Sequence, residues 1–152
     1  MDLRRAYLDS SVVVRRLLRH PKALTGLADW ALVTSELMEV EALRALYRIH
    51  AEGLLNPEEL GARIAELRAL AAAVDRVPIT KLVLRRAGGP LAGILKTLDA
   101  IHLVTAMLWS EYNGETIVLL THDRQLATVA RASGLEVHPW PMPQPDNIKA
   151  HS

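Results

Sequence analysis

Cysteine is absent from the 152 residues, so no disulfide holds the fold together and the chain must rely on a core of its own, for which this length suffices. No apolar run approaches the roughly 18 residues of a membrane span. The first apolar stretch is interrupted by Arg15, Arg16 and Arg19, unlike the basic-then-apolar start of a secretory signal. An excess of one charge is also lacking, the net being +1. No internal repeat and no break in composition marks a second domain. These absences leave a globular chain with one core, expected in the cytoplasm, with 50% hydrophobic and 23% charged residues.

Against that background four carboxylates stand out. Asp9 ends the strand-like Ala6-Tyr7-Leu8, Glu41 lies early in a helix, Asp99 interrupts the apolar stretch from Leu98 to Trp109, and Asp123 follows Ile117 to Thr121. Such positions usually reject charge, so four exceptions point to a shared cause, a site for divalent metal. Without these four, 13 acidic residues face 18 basic ones, and the remaining surface is modestly cationic. Arginine outnumbers lysine 14 to 4, and guanidinium suits bidentate phosphate contacts. That is compatible with nucleic acid, and equally with ordinary solvated helix faces.

The spacing of apolar and capping residues alternates strand and helix. Ala6 to Asp9 reads as a buried strand, after which Ser10 or Ser11 supplies an N-cap for a helix through Leu18. Pro21 starts a short helix to about Asp29, and Ala31 to Val33 is a second strand before the capping pair Thr34-Ser35. Glu36 to about Glu52 is a helix ended by Gly53, and Asn56-Pro57-Glu58-Glu59 opens a long helix to Val74. Thr80 caps a short helix through Ala87. Gly88-Gly89-Pro90 separates it from the helix carrying Asp99, which Asn113-Gly114 ends. Glu115 to Thr121 is the clearest strand, Asp123 to Ser133 a helix, and Leu135 to His138 the last strand. The alternation predicts an α/β fold whose parallel sheet is covered by helices on both faces, with its ligand site beyond the carboxyl ends of the strands. Pro139, Pro141, Pro143 and Pro145 predict an extended or disordered tail, anchored by Trp140.

Each acid also has an ordinary structural explanation. Asp9 and Asp123 sit where a helix cap is useful, although Ser10 and Ser11 leave Asp9 free of that duty. Asp99 lies in a helix that is apolar nearly all round, where only a partly buried cap or a salt bridge from elsewhere would explain it. Glu41 competes with Glu36 and Glu39, and Arg44 three residues on offers it a surface pair. Glu39 and Glu41 fall on opposite flanks of the stripe Met38, Ala42, Ala45, Leu46 and Ile49, so only one faces the crevice.

Taken together, Tyr7-Leu8-Asp9-Ser10-Ser11, Thr34-Ser35 followed six residues later by Glu41, Leu98-Asp99-Ala100-Ile101-His102-Leu103, and Thr121-His122-Asp123 with Ala130 and Gly134 downstream form a pattern. In order, spacing and context it resembles the PIN-domain ribonucleases, especially VapC-type toxins of type II toxin–antitoxin pairs. The resemblance implies a PIN-like three-layer α/β/α fold with a central parallel sheet of four or five strands, a PIN domain over residues 1–139 and a Pro-rich tail over 140–152. It implies Asp9, Glu41, Asp99 and Asp123 as the catalytic and metal-binding acids, preferring Glu41 over Glu39, with Ser10 and Thr121 as supporting oxygens. A homodimer and a small VapB-like antitoxin lying over the acidic groove are implied as partners. The extended middle helical hairpin and the tail depart mildly from the pattern.

Charge repulsion gives the cluster its chemistry. Ionised carboxylates about 4 Å apart repel by roughly 4 kcal/mol per pair at an effective dielectric near 20, so a divalent ion must relieve them. All-oxygen donors, with no cysteine or clustered histidine, select Mg2+ or Mn2+, one ion or two, over zinc. The expected reaction is hydrolysis of RNA phosphodiester bonds by an activated water, with His102 a packing or hydrogen-bonding residue and Arg15 or Arg124 holding backbone phosphate. Other readings are a PIN nuclease of RNA processing outside a toxin pair, a non-catalytic PIN binding module, and a receiver-like phosphoacceptor. The last would want an acidic pair after the first strand, where this chain has serines, and a late Lys, where it has Arg124 and Arg131.

Overall fold

Arg4–Leu8 forms the central strand β1, and its alternation sends Ala6 and Leu8 to one face of the sheet and Tyr7 to the other. The computed structural model describes residues 2–139, so the expectations for the Pro-rich tail and Trp140 lie outside the described residues. After β1 come α1 (Ser10–Leu17), a single 3-10 turn at Leu27–Asp29, β2 (Trp30–Ser35), α2 (Leu37–Ala51), α3 (Pro57–Ala73) and β3 (Asp75–Val77). The chain continues through α4 (Lys81–Ala87), α5 (Thr97–Asn113), β4 (Val118–Leu120), α6 (Arg124–Ala132) and β5 (Glu136–His138).

The five strands run in the order β3-β2-β1-β4-β5, all parallel. Helices cover both faces. Leu8, Val12, Leu17, Met38, Leu46, Leu67 and Leu120 form the core beneath α1, α2 and α3, while Tyr7, Leu103, Leu119, Leu126 and Val137 form the core beneath α5 and α6. The sheet grows outward from β1 through β2 to β3, then the chain returns to place β4 on the other side of β1. That reversal opens a crevice beyond the carboxyl ends of β1 and β4.

The predicted three-layer α/β/α arrangement is found, and the differences from expectation are local. The second helix, expected from Pro21 to Asp29, shrinks to the 3-10 turn. Gly26 takes φ +74° there, and the amide of Leu24 is drawn out to His122 Nε2 at 3.1 Å. The capping role given to Ser10 or Ser11 is corrected. Asp9 occupies the cap position of α1 without capping through its side chain, Ser10 opens the helix, and both serine hydroxyls turn toward carboxylates. Strand β3 is unforeseen. It is short and mostly exposed, but it pairs with β2 from Val33 to Ser35, and Val77 O accepts the amide of Glu36. Strand β4 keeps only three residues of the seven expected, those that pair with both neighbours.

Other boundaries follow local chemistry. Asn56 accepts from the Glu59 amide at 2.8 Å and Glu59 accepts from the Asn56 amide at 3.2 Å, a reciprocal cap at the start of α3. Thr80 caps α4 through the Val83 amide, and Gly114, at φ +64°, ends α5.

Candidate functional site

Four separate segments deliver Asp9, Glu41, Asp99 and Asp123 to the wall of one crevice of about 650 Å³. Asp9 follows β1, Glu41 lies in the second turn of α2, Asp99 in the first turn of α5, and Asp123 at the start of α6. Ser10, Ser11, Val14 and Arg15 of α1, Leu37, Val40, Arg44, Ala45 and Arg48 of α2, Leu98 and His122 complete the lining.

Asp9 is the most enclosed of the acids at 2% exposure. Its Oδ2 accepts from Ser11 Oγ at 2.5 Å and from Thr121 Oγ1 at 2.8 Å, which aims the remaining oxygen into the crevice. Thr121 Oγ1 in turn accepts the amide of Asp123 at 3.0 Å, and Ser11 Oγ accepts the amide of His122 at 2.9 Å. The turn after β4 is thereby tied to the end of β1. Asp123 does cap its helix, Oδ1 accepting the Leu126 amide at 2.8 Å, so one of its oxygens is committed.

Glu41 is held from two sides. Ser10 Oγ donates to its Oε2 at 3.1 Å, and His102 Nε2 lies 2.5 Å from its Oε1 and 3.9 Å from Asp9 Oδ1. The carboxylates of Glu41 and Asp9 are therefore no further apart than the sum of those two distances. Glu39, its rival in the sequence, turns away to accept from Arg76 Nη1 at 3.0 Å. The pairing of Glu41 with Arg44 that the helical spacing allowed does not form; among the described residues Arg44 has no ion pair.

His102 lies fully buried beneath the acids, its Nδ1 2.7 Å from the hydroxyl of Tyr7 on β1. Burial opposes a charge on this ring, but the hydrogen bond with Glu41 and the charges of Asp9, Glu41 and Asp99 outweigh it and raise its pKa. Burial, reinforced by Asp9 and Glu41, raises the Tyr7 phenol well above its ordinary value, so it stays protonated. Sequence reasoning gave neither Tyr7 nor Ser11 a role at the site. The signals were a tyrosine in a three-residue apolar strand and a second serine behind Asp9. His102→Leu is expected to lower the melting temperature by about 5–10 °C, because it removes a buried partner of the Tyr7 phenol and one of the two side chains that hold Glu41, at a cost of about 2–3 kcal/mol. Tyr7→Phe should cost less in that background than in the wild type, and a thermal double-mutant cycle with no coupling would show that the Tyr7–His102 hydrogen bond contributes nothing.

Asp99 is half-buried, and its carboxylate accepts no hydrogen bond among the described residues. Burial first, then the charges of Asp123, Asp9 and Glu41, push its pKa up to about 6, against a smaller opposing pull from His102. The three other acids thus act on it electrically as well as sharing its crevice. Among the described residues no three histidine or acidic groups are already drawn tightly enough to enclose an ion. The hydrogen bonds explain this, since Glu41 is drawn onto His102 and Ser10, and Asp123 onto a helix amide.

Of the two arginines expected near phosphate, Arg15 lines the crevice. Arg124 is exposed at the start of α6 and is not part of the lining. Two arginines that the sequence did not single out, Arg44 and Arg48, take that place. Burial, then the neighbouring Arg15 and His20, lower the pKa of His122, which keeps its ring neutral to accept the Leu24 amide.

The PIN domain family model matches residues 6–132. The chain is 37% identical over 136 residues to ribonuclease VapC46 of Mycobacterium tuberculosis, covering 86% of this chain and 94% of that protein. It is 33% identical over 138 residues to ribonuclease VapC35 of the same organism, covering 86% and 93%. Among solved structures, PAE2754 from Pyrobaculum aerophilum superposes with a TM-score of 0.54 at 23% identity over 89% of each chain. VapBC-1 from nontypeable Haemophilus influenzae superposes at 0.51 and 15% identity over 88% and 96%. These two share the fold. Among the described residues no helix is long and apolar enough to cross a membrane.

Proposed function

Because the chain belongs to the PIN domain family, we propose that it is a metal-dependent endoribonuclease, the toxin of a toxin–antitoxin pair. The observation that carries this reading is the crevice at the switch point of the sheet, where Asp9, Glu41, Asp99 and Asp123 arrive from four segments with nothing but oxygen to offer a ligand. Such a donor set fits Mg2+ or Mn2+, and burial, followed by the charges of Asp123, Asp9 and Glu41, raises the pKa of Asp99, a cost to its charged form that a divalent cation would offset. The four acids would hold one or two such ions, with Ser10 and Ser11 keeping the carboxylates of Glu41 and Asp9 in place and Thr121 sharing the hold on Asp9. Such an ion, when bound, supplies Lewis-acid stabilisation of the phosphate and lowers the pKa of a coordinated water.

The chain's own residues do the rest. The buried Asp9 gives the crevice a rigid negative floor, and the hydroxyls of Ser11 and Thr121 fix which of its oxygens faces inward. Neither nearby histidine is offered as a base, since both ring nitrogens of His102 are engaged and His122 accepts a backbone amide. The names of the Mycobacterium relatives, ribonucleases VapC46 and VapC35, support the ribonuclease role. On the same reading the chain acts in the cytoplasm as a homodimer, with residues 1–139 as the PIN domain, residues 140–152 as a separate tail, and a small VapB-like antitoxin as its partner.

The test is cleavage mapping on total cellular RNA with Mg2+ or with a chelator. Discrete cuts that appear only with metal are expected, and no metal-dependent cut in any RNA overturns the ribonuclease reading. Suppression of those cuts by a small protein encoded beside this chain would establish the toxin role.

A further inference from the structure

His102 sits where three of the four acids converge. Its Nε2 lies 2.5 Å from Glu41 Oε1 and 3.9 Å from Asp9 Oδ1, and Asp99 precedes it by three residues on α5, on the same side of that helix. The ring is wholly buried, and its other nitrogen is engaged at 2.7 Å by Tyr7, which is itself wholly buried in the central strand. Three side chains thus run as one hydrogen-bonded line from β1 through α5 to α2, and the line ends on a carboxylate of the crevice.

The direction of the line follows from what each group can give. A carboxylate only accepts, so Nε2 carries the proton shared with Glu41 whichever charge the ring bears. On the neutral ring Nδ1 is then the acceptor, and the Tyr7 hydroxyl, kept protonated by burial, donates to it. Take the phenol away, and a neutral ring is free to hold its proton on Nδ1 and turn a lone pair toward Glu41. Glu41 needs this hold more than the aspartates need theirs. Its side chain has one more rotatable bond to freeze, and Ser10, its other partner, is only partly buried and donates at 3.1 Å. Asp9 is secured independently by the hydroxyls of Ser11 and Thr121, and Asp123 by the Leu126 amide.

We propose that Tyr7 and His102 are positioning residues of the metal centre, the phenol fixing which ring nitrogen donates and the ring fixing the Glu41 carboxylate beside Asp9 and Asp99, where it helps to hold a divalent ion. The inference rests on the reading of the acids as metal ligands and adds two residues that do not themselves line the crevice. Tyr7 points to the face of the sheet beneath α5 and α6, so its influence on an ion passes through His102. Because His102 and Asp99 share one side of α5, the same hydrogen bond also sets how far the Glu41 helix stands from the Asp99 helix.

The test is the Mn2+ affinity of the full chain, read from the electron paramagnetic resonance of the free ion, for wild type, Tyr7→Phe, Glu41→Gln and the double variant. Tyr7→Phe removes one oxygen and keeps the ring, and it should raise the Mn2+ dissociation constant about tenfold, as loss of a group that orients a metal ligand does. In the Glu41→Gln background the same change should leave the constant within about twofold, because the carboxylate at the end of the line is gone. Its effect on the melting temperature of the metal-free protein should persist in that background, which separates a folding role from a role at the metal. His102→Gln, whose amide can still donate toward Glu41, should bind Mn2+ more tightly than His102→Leu. Wild-type Mn2+ affinity in Tyr7→Phe, an equal loss with and without the Glu41 carboxylate, or equal affinities of His102→Gln and His102→Leu overturns the proposal while leaving the metal reading intact. A wild type that binds no Mn2+ overturns the metal reading and the proposal together.

Discussion

Asp9→Asn is expected to reduce metal-dependent RNA cleavage by about a thousandfold or more while the protein stays folded. The side chain is almost fully enclosed, and its Oδ2 already takes both available hydroxyls, from Ser11 and Thr121. Asparagine fills the same space and can accept the same two donors through its amide oxygen, so packing and the β1–β4 tie survive. What goes is the charge at the centre of the crevice and an anionic oxygen for a cation. The measurement is the rate of cutting of an RNA spanning a mapped site, at saturating Mg2+, beside the circular dichroism and melting curve of the same preparation. A folded variant that cuts at the wild-type rate removes Asp9 from the chemistry, and with it the reading of the crevice as a metal centre.

Asp99→Asn is expected to have opposite effects on stability and activity. The native state lifts the Asp99 pKa from an ordinary carboxyl value near 3.8 to about 6, so the folded protein holds this proton more tightly than the unfolded chain does. The contribution of Asp99 to stability is therefore most favourable below pH 4, declines as pH rises from about 4 to 6, and is unfavourable above. At pH 7.5 the metal-free variant should melt a few degrees higher than wild type, on the order of 1 kcal/mol once solvent screening of a half-exposed group is allowed for. At pH 4 the two should melt together. Wild type should gain about 2–3 kcal/mol from manganese at a hundred times its dissociation constant, with the gain fading as protons compete below pH 6. The variant should lose most of that gain and its RNA cleavage. A variant less stable than wild type at pH 7.5 without metal would show that burial and the neighbouring acids do not disfavour a charge at this position.

Much of the architecture was legible because Ala6-Tyr7-Leu8 of β1 and all of β4 are apolar and lead into Asp9 and, three residues on, Asp123, while caps such as Asn56 and Thr80 announce their helices one residue in advance. Elements whose stability comes from partners were not legible. Strand β3 has three residues, two of them exposed, and exists because β2 offers an open edge. The segment after Pro21 has the composition of a short helix, but the pull of His122 on the Leu24 amide and the left-handed turn at Gly26 leave it almost entirely unwound.

The candidate site divides in the same way. Residue order and spacing named four acids, since a charge inside an apolar context is visible in one dimension. They could not by helical spacing alone separate Glu39 from Glu41, two residues apart on one helix; the family pattern preferred Glu41, and in the structure Arg76 on β3 draws Glu39 aside. Nor could they reveal that Tyr7 and His102, 95 positions apart, meet under the floor of the crevice at 2.7 Å. What the sequence alone determined is which residues are charged, where helices begin, and that a parallel sheet must carry the acids at its carboxyl edge, because these follow from local propensity and periodicity. What only the tertiary structure decided is which oxygens are tied up and which buried side chains stand behind the acids. Those properties belong to distances between segments, which exist only after the layers have packed.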